Sequence, residues 1–408
     1  MLNHLFIFIL LFSQFAFPIR RCRDQVLVLV QKAGLNFLER EDLEKTGITR
    51  KKFVVGGKKG NPEYEFKYYY SNGKEVKDAK VLERLKKLGI APAYEDVYYS
   101  IDPSSHLQAV ASDSEGRRQY RHHDEWTKVA GENKFSHLLD FGESLGGIRL
   151  QASKDLSKPG ISKDRVLAGI VTLLDKSLIR VGGQDSDNFG LTTMRMKFVR
   201  YGLNGMTFKF VGKSNKEHEI TVDNEPVRKL LKSLESFDSD KSVPPGLKGQ
   251  LFKYKDNDGN VRGITDKDVN DYLKKIGGDD VSAKDFRTWH ATRIAAEYLQ
   301  DKWINRGDFT PKQWEAQKKK YVKEAYELAA DALGNEPSIA KKSYVHPGVI
   351  DSYLKPGLDL THAFIHPGAS PKESTSGYSF ADKSLIRFLT KYYKNGWRDE
   401  EDDTSDAD

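Results

Sequence analysis

The chain has 408 residues, with 66 Lys and Arg against 59 Asp and Glu and a formal net charge of +7. That length exceeds one small core and suits two domains with extensions. The single cysteine, Cys22, excludes an intramolecular disulfide framework and favours a reducing compartment, while the basic excess suits a polyanionic partner.

Residues 1–44 read as an N-terminal extension. Leu5 to Phe17 is an apolar run interrupted by Ser13 and Gln14. It is short for a bilayer span, which takes about 20 residues. No Lys or Arg precedes it, whereas Arg20, Arg21 and Arg23 follow, the reverse of a secretory signal. The run is expected to be a non-native start or an apolar extension packed on the body, in preference to a signal or membrane anchor. A cytoplasmic protein is the consequence. Asp24 to Lys32 is a candidate helix, and an acidic, linker-like stretch follows.

Residues 45–130 are expected to form a small, β-rich domain. Lys52 to Val55 and Glu63 to Tyr70, with the turn signal Asn72-Gly73, read as a hairpin. Val81 to Leu88 is a short helix and Val97 to Ser100 a strand. Leu107 to Ala111 pairs with Gln119 to His123 around a turn at Asp113 to Gly116. This last strand is basic and aromatic. Its arginines suit phosphates, and its Gln and Tyr suit base edges or sugars. The plainer alternative is a strand edge carrying solvated charge.

Residues 131–395 turn predominantly helical. Phe135 to Leu145 is a helix closed by Gly146-Gly147. Ser162 is an N-cap for a helix whose Val166, Leu167, Ile170, Leu173, Leu174 and Leu178 recur at helical spacing. Arg180 lies at its C-terminal end, where any cation is favourable. Met206 to Val211 and Glu217 to Val222 alternate and form a hairpin with Lys213 and Lys216 at its tip. Thr265 caps a helix that Gly277-Gly278 ends. Ala283 to Tyr298 is helical, with Arg287 on its first turn, beside unpaired backbone N–H groups and the positive end of the dipole. Trp303 to Leu333 is helical with a break at Pro311. A short helix carries Tyr344 near its end, and Pro347 stops it. Ser384 to Tyr393 is a last amphipathic helix before an acidic tail, 396–408. The histidines and the cysteine show no zinc spacing.

Taken together, these segments resemble the type IB DNA topoisomerases of the compact poxviral and bacterial kind. The stretches that carry the resemblance are Arg117-Arg-Gln-Tyr120, Asp164-Arg-Val-Leu167, Leu178-Ile-Arg-Val-Gly182, Phe189-Gly-Leu-Thr-Thr193, Phe210-Val-Gly-Lys213 with Glu217-His218, Lys284-Asp-Phe-Arg-Thr-Trp-His290, and Gly334 to Pro347. They run in family order from roughly Lys52 to Leu354. The resemblance implies an α+β fold, with a small β-rich N-terminal domain and a larger, mainly helical catalytic domain bearing a β-hairpin, forming a C-shaped clamp on duplex DNA.

The resemblance also implies roles. Tyr344 is the implied nucleophile, which leaves a 3′-phosphotyrosyl link. Arg180 and Arg287 stabilise the transition state, and Lys213 is the general acid. Asn335 stands where many members have histidine; it can hydrogen-bond a phosphate oxygen but cannot titrate. Arg117, Gln119, Tyr120, His122 and Lys216 are carried over as DNA contacts, and His346 is expected to be structural. The implied enzyme relaxes supercoiled DNA as a DNA-associated monomer, without ATP, a metal or a small-molecule cofactor. Two alternatives remain. One is a tyrosine recombinase, which usually has a histidine three residues before the second arginine, where this chain has Lys284. The other is a DNA-binding protein without catalysis.

Overall fold

The computed structural model describes residues 26–58, 61–133, 135–183, 188–305, 307, 309–355 and 376–394. The apolar run Leu5 to Phe17 and the acidic tail lie outside them. Among the described residues no helix is long and apolar enough to cross a membrane. The chain divides into two units, Met1–Lys134 and Phe135–Asp408.

In the first unit, α1 (Arg40–Thr46) precedes β1 (Ile48–Lys58), β2 (Asn61–Tyr69), α2 (Ala79–Lys87), β3 (Glu95–Tyr99), β4 (Leu107–Ser112), β5 (Arg118–His122) and α3 (Asp124–Asn133). The five strands make one antiparallel sheet in the order β2-β1-β3-β4-β5. Strand β4 is buried along its whole length. Its Ala109 and Ala111 pack with Ile48, Leu85, Val97 and Tyr99, whereas Leu107 and Val110 pack with Leu43. Leu43 explains why the expected linker is instead the helix α1: one fully buried leucine anchors an otherwise acidic turn.

The first hairpin also differs from the expectation. Strands β1 and β2 pair from Thr49↔Tyr69 to Lys58↔Asn61, with one shift of register between Val54 and Gly56, so they are joined between Lys58 and Asn61. Asn72-Gly73 turns the chain after β2, with Gly73 at φ 81°. It is a genuine positive-φ turn, but it lies beyond the hairpin.

The second unit runs α4 (Leu138–Leu156), α5 (Lys163–Ser177), β6 (Val199–Gly202), β7 (Gly205–Gly212), β8 (Lys216–Val222), α6 (Glu225–Asp238), β9 (Lys253–Lys255), β10 (Val261–Gly263), α7 (Asp266–Gly277), α8 (Ala283–Ile304), α9 (Pro311–Leu333), α10 (Pro337–Ser343), α11 (Pro347–Leu354) and α12 (Phe380–Lys394). Strands β6, β7 and β8 form an antiparallel sheet, and β9 pairs with β10. The core packs Phe141, Leu145 and Ile148 of α4 with Ile170, Leu173 and Leu174 of α5 and Phe286, Trp289 and Ala295 of α8. Each of the leucine, isoleucine and phenylalanine side chains contributes roughly 1.5–3 kcal/mol by leaving water.

Two helix boundaries depart from the sequence reading. Helix α4 runs straight through Gly146-Gly147. A Cβ at Gly142 would lie 2.4 Å from the Trp289 ring, and one at Gly146 would lie 2.2 Å from the Tyr378 ring. These glycines admit aromatic rings; they do not stop a helix. Pro347 likewise does not end α10, which closes at Ser343. It opens α11, at a position where a missing N–H is tolerated.

Candidate active site

Helix α5 starts at the Ser162 cap, whose side chain accepts from the Arg165 N–H, and ends at Leu178 in the left-handed region, φ 56° and ψ 15°. A non-glycine residue there costs roughly 1–2 kcal/mol. The turn places Arg180 on an extended segment. Leu191 N donates to Arg180 O at 2.9 Å and Thr192 N to Val181 O at 2.8 Å. Gly182 and Gly190 allow these two backbones to touch: a Cβ on Gly190 would lie 2.5 Å from Gly182.

Helix α8 begins with a capping box in which Ser282 and Asp285 satisfy each other's backbone donors. Arg287 is the fifth residue of α8 and is 4% exposed. The expectation that it uses the helix start is therefore wrong, because Asp285 occupies that end. The Arg287 guanidinium donates instead to Leu178 O, where α5 ends, and to Leu333 O at 2.8 Å, where α9 ends. Its Nε is buried without a partner. Burial lowers its pKa to about 10.

Helix α9 closes on Gly334 in the left-handed region, φ 61°. A Cβ there would meet His218 Cε1 at 2.1 Å. The next residue, Asn335, is buried; its Oδ1 accepts from Arg180 Nη2 at 2.5 Å. That bond assigns the amide orientation and leaves the buried Nδ2 without a partner.

Tyr344 caps the C-terminus of α10. Its backbone is fixed to α8: Thr292 Oγ1 donates to Tyr344 O at 3.0 Å and accepts from His346 N at 3.1 Å. Its half-buried ring lies 5.3 Å from the Arg287 guanidinium. Burial would raise the phenol's pKa. Arg287, Arg180 and Lys284 outweigh that effect and hold it below the ordinary value. His346 is buried, bonds the Tyr393 hydroxyl at 2.9 Å and accepts from Gly348 N at 3.0 Å. It caps α11 and does not face the phenol.

The β7–β8 hairpin ends in the turn Lys213–Asn215, with Asn215 at φ 58° and the Lys213 side chain exposed. Arg180, Lys213, Lys284, Arg287 and Tyr344 line one cleft of about 300 Å³. His218 stacks on Phe210, with ring centroids 5.0 Å apart, and borders an adjoining recess with Arg180, Lys213 and Arg287. Burial, then the charges of Arg180, Arg287 and Lys216, lower its pKa.

Other expected DNA contacts are placed differently. Lys216 is paired with Glu336 at 2.5 Å. In the first unit, Tyr120 and His122 stack on one face of β5, with Trp126 beside His122. Gln119 belongs to the opposite face of that strand. Both Gln119 Nε2 and Arg117 Nε donate to Asp113 Oδ2 at 2.9 Å. The four residues thus fall into two sets. Sequence reasoning gave no role to Lys284, Thr292 or His218. Lys284 and His218 sit inside the motifs already singled out; Thr292, on an alanine-rich helix, carries no local signal.

Residues 124–356 match the family described as eukaryotic DNA topoisomerase I, catalytic core, and residues 65–113 match the bacterial DNA topoisomerase IB N-terminal domain. The DNA topoisomerase 1B of Acanthamoeba polyphaga mimivirus is 30% identical over 297 residues, spanning 71% of this chain and 84% of that protein. The DNA topoisomerase 1B of Vaccinia virus (strain Copenhagen) is 23% identical over 246 residues, 59% of this chain and 71% of the relative. The DNA topoisomerase I of Monkeypox virus gives the same identity and coverage.

Proposed function

Since this chain belongs to the type IB DNA topoisomerase family, we propose that it relaxes supercoiled duplex DNA through Tyr344. The phenol, acidified by the cations around it, loses its proton to water and attacks a backbone phosphorus. The Tyr344 Oη–P bond forms and the P–O5′ bond breaks. Lys213, extended on its hairpin, protonates the departing 5′ oxygen. Religation reverses each step. One phosphodiester is exchanged for another, so the bond energy is retained and no ATP is consumed.

Arg180, Arg287 and the Nδ2 of Asn335 donate to the non-bridging oxygens, whose charge grows in the pentacoordinate transition state. These donors supply electrostatic stabilisation of the kind a metal ion provides in other phosphoryl-transfer sites. The N-terminal unit adds a second DNA contact through Tyr120 and His122, and binding falls steeply with salt.

One observation carries this reading. Arg287 is buried, yet no carboxylate is among its described partners, which are the carbonyls Leu178 O and Leu333 O and the Tyr344 phenol. A buried cation without a carboxylate is costly unless an anion joins it, and the phenol beside it points to the reaction. The test is capture on a nicked suicide duplex under denaturing conditions, followed by mapping of the linked peptide. A DNA adduct on the peptide containing Tyr344 is expected. An adduct elsewhere, or none, removes the reading.

A further inference from the structure

A second constellation of charge lies in the same unit, outside the cleft. Asp175, near the end of α5, is buried. It accepts from Arg149 Nε at 2.9 Å and Nη2 at 3.0 Å, and lies 2.8 Å from His290 Nε2. Arg149 Nη1 donates to Asp382 Oδ2 at 2.6 Å and to Gly377 O at 2.9 Å. The other oxygen of Asp382 accepts from Trp289 Nε1 at 2.9 Å. On the far side of the imidazole, His290 Nδ1 lies 3.3 Å from Arg293 Nη2. A ring that donates from Nε2 to Asp175 and accepts at Nδ1 from Arg293 satisfies both neighbours. One network thus joins α4, α5, α8 and α12.

Its position gives it meaning. His290 lies one turn beyond Arg287 on α8. Asp175 precedes Arg180 across the left-handed turn at Leu178. The bond between His290 and Asp175 therefore fixes the rotation and height of α8 against α5 directly behind the two cleft arginines. A second tie, from Arg287 to Leu178 O, repeats the constraint one level nearer the phenol. Well-packed apolar side chains would stabilise such a helix contact as well as buried ions do. Directional bonds are the better device where spacing must be held to a fraction of an ångström.

We propose that His290 and Asp175 are positioning residues that set the spacing of Arg180 and Arg287, with Asp382 on the C-terminal helix as their far anchor. The proposal rests on reading those two arginines as the phosphate clamp.

The test is a double-mutant cycle in the full chain, using His290→Leu, Arg287→Lys and both together, with His290→Gln as the conservative variant. Its amide can donate to Asp175 and accept from Arg293. Single-turnover cleavage of a nicked suicide duplex, duplex affinity and thermal melting are measured on each. Arg287→Lys is expected to slow cleavage by about 100-fold or more. His290→Leu is expected to slow it about 30-fold with affinity within about twofold, and His290→Gln to recover to within about fivefold of the parent. On the Arg287→Lys background, His290→Leu should add less than about threefold, because both changes disturb one unit. A full additive loss overturns the proposal, as does a glutamine no better than leucine, or a rate loss that tracks the unfolded fraction. If His290→Leu does not fold, His290→Asn, whose shorter amide withdraws from Asp175, replaces it in the cycle. If Arg287→Lys cleaves like the parent, the clamp reading itself falls and takes the proposal with it. A slow Arg287→Lys with additive losses overturns the proposal alone.

Discussion

Arg117, just ahead of strand β5, and the arginines of the cleft are chemically the same group in opposite company. Arg117 is exposed and paired with two carboxylates, Asp113 at 2.9 Å and Glu115 at 2.5 Å. Arg287 is buried and bonded to carbonyl oxygens, and Arg180 to the oxygen of Asn335. A carboxylate neutralises a guanidinium; a carbonyl orients it and leaves its charge for an incoming anion. Arg149, largely buried with its side chain 20% exposed, shows that exposure alone does not distinguish them. It is held by Asp175 and Asp382, which outweigh burial and raise its pKa, whereas burial lowers that of Arg287. On the proposed reading, the chemistry of the partner, more than exposure, separates a cation kept for the substrate from one that belongs to the scaffold.

The strongest break of this contrast comes from the phenol. Tyr344→Phe keeps the ring against Arg287 and removes the hydroxyl proposed as the nucleophile. Covalent capture should fall below detection while duplex affinity stays within about twofold. Residual capture would move the nucleophile elsewhere. Next are the arginines themselves. Arg287→Ala should slow single-turnover cleavage by about 100- to 1,000-fold, the range for a preorganised donor to a transition-state oxygen. Arg117→Ala should change it by less than about threefold, as an exposed pair contributes little. Equal losses at the two positions would abolish the distinction between carbonyl-held and carboxylate-held cations.

How much of this was legible in the sequence follows the range of the forces involved. Long periodic elements such as α5, α8, α9 and the β7–β8 hairpin were readable because their pattern is local. The motifs that carry the resemblance were readable as strings. Tertiary contacts were not. Arg287 read as a helix-start arginine because local rules place unpaired N–H groups there. The structure gives that end to Asp285 and turns the guanidinium to carbonyls from two distant helices. Gly146 read as a stop because nothing local announces the Tyr378 ring. The stretch around Leu43 read as a linker because the buried residues that this leucine packs against, Leu107 and Val110, lie on β4. Lys284, Thr292 and His218 acquire roles through neighbours that only the folded chain provides.

The comparison extends to the backbone. Gly334 and Gly116 both have positive φ, 61° and 75°, but a Cβ on Gly334 would strike His218 at 2.1 Å, while one on Gly116 meets nothing within 4 Å. Gly116→Ala should cost roughly 1–2 kcal/mol, the left-handed penalty alone. Gly334→Ala should cost more in denaturant unfolding and also slow cleavage, because it displaces His218 beside the arginines and shifts Asn335. Equal costs with no change in rate would mean that His218 yields without moving the cleft.

The smallest expected effect is the one with a pH signature. The Tyr344 phenol sits below its ordinary pKa because Arg287, Arg180 and Lys284 oppose burial. An acid whose anion is favoured ionises at lower pH, so the second-order cleavage rate should rise and level off below the value of about 10 for an unperturbed phenol. It should fall again near pH 10, where Arg287 begins to lose its proton in the unbound protein. Lys284→Gln withdraws one of the three cations and moves the rising limb upward. The rate should drop about threefold near neutral pH and rejoin the parent as the phenol ionises fully, consistent with one partly screened charge. A loss by the same factor at every pH would instead place the Lys284 ammonium on the phosphate. It would then belong with Arg180 and Arg287 among the cations kept for DNA, and no longer with the groups that tune the nucleophile.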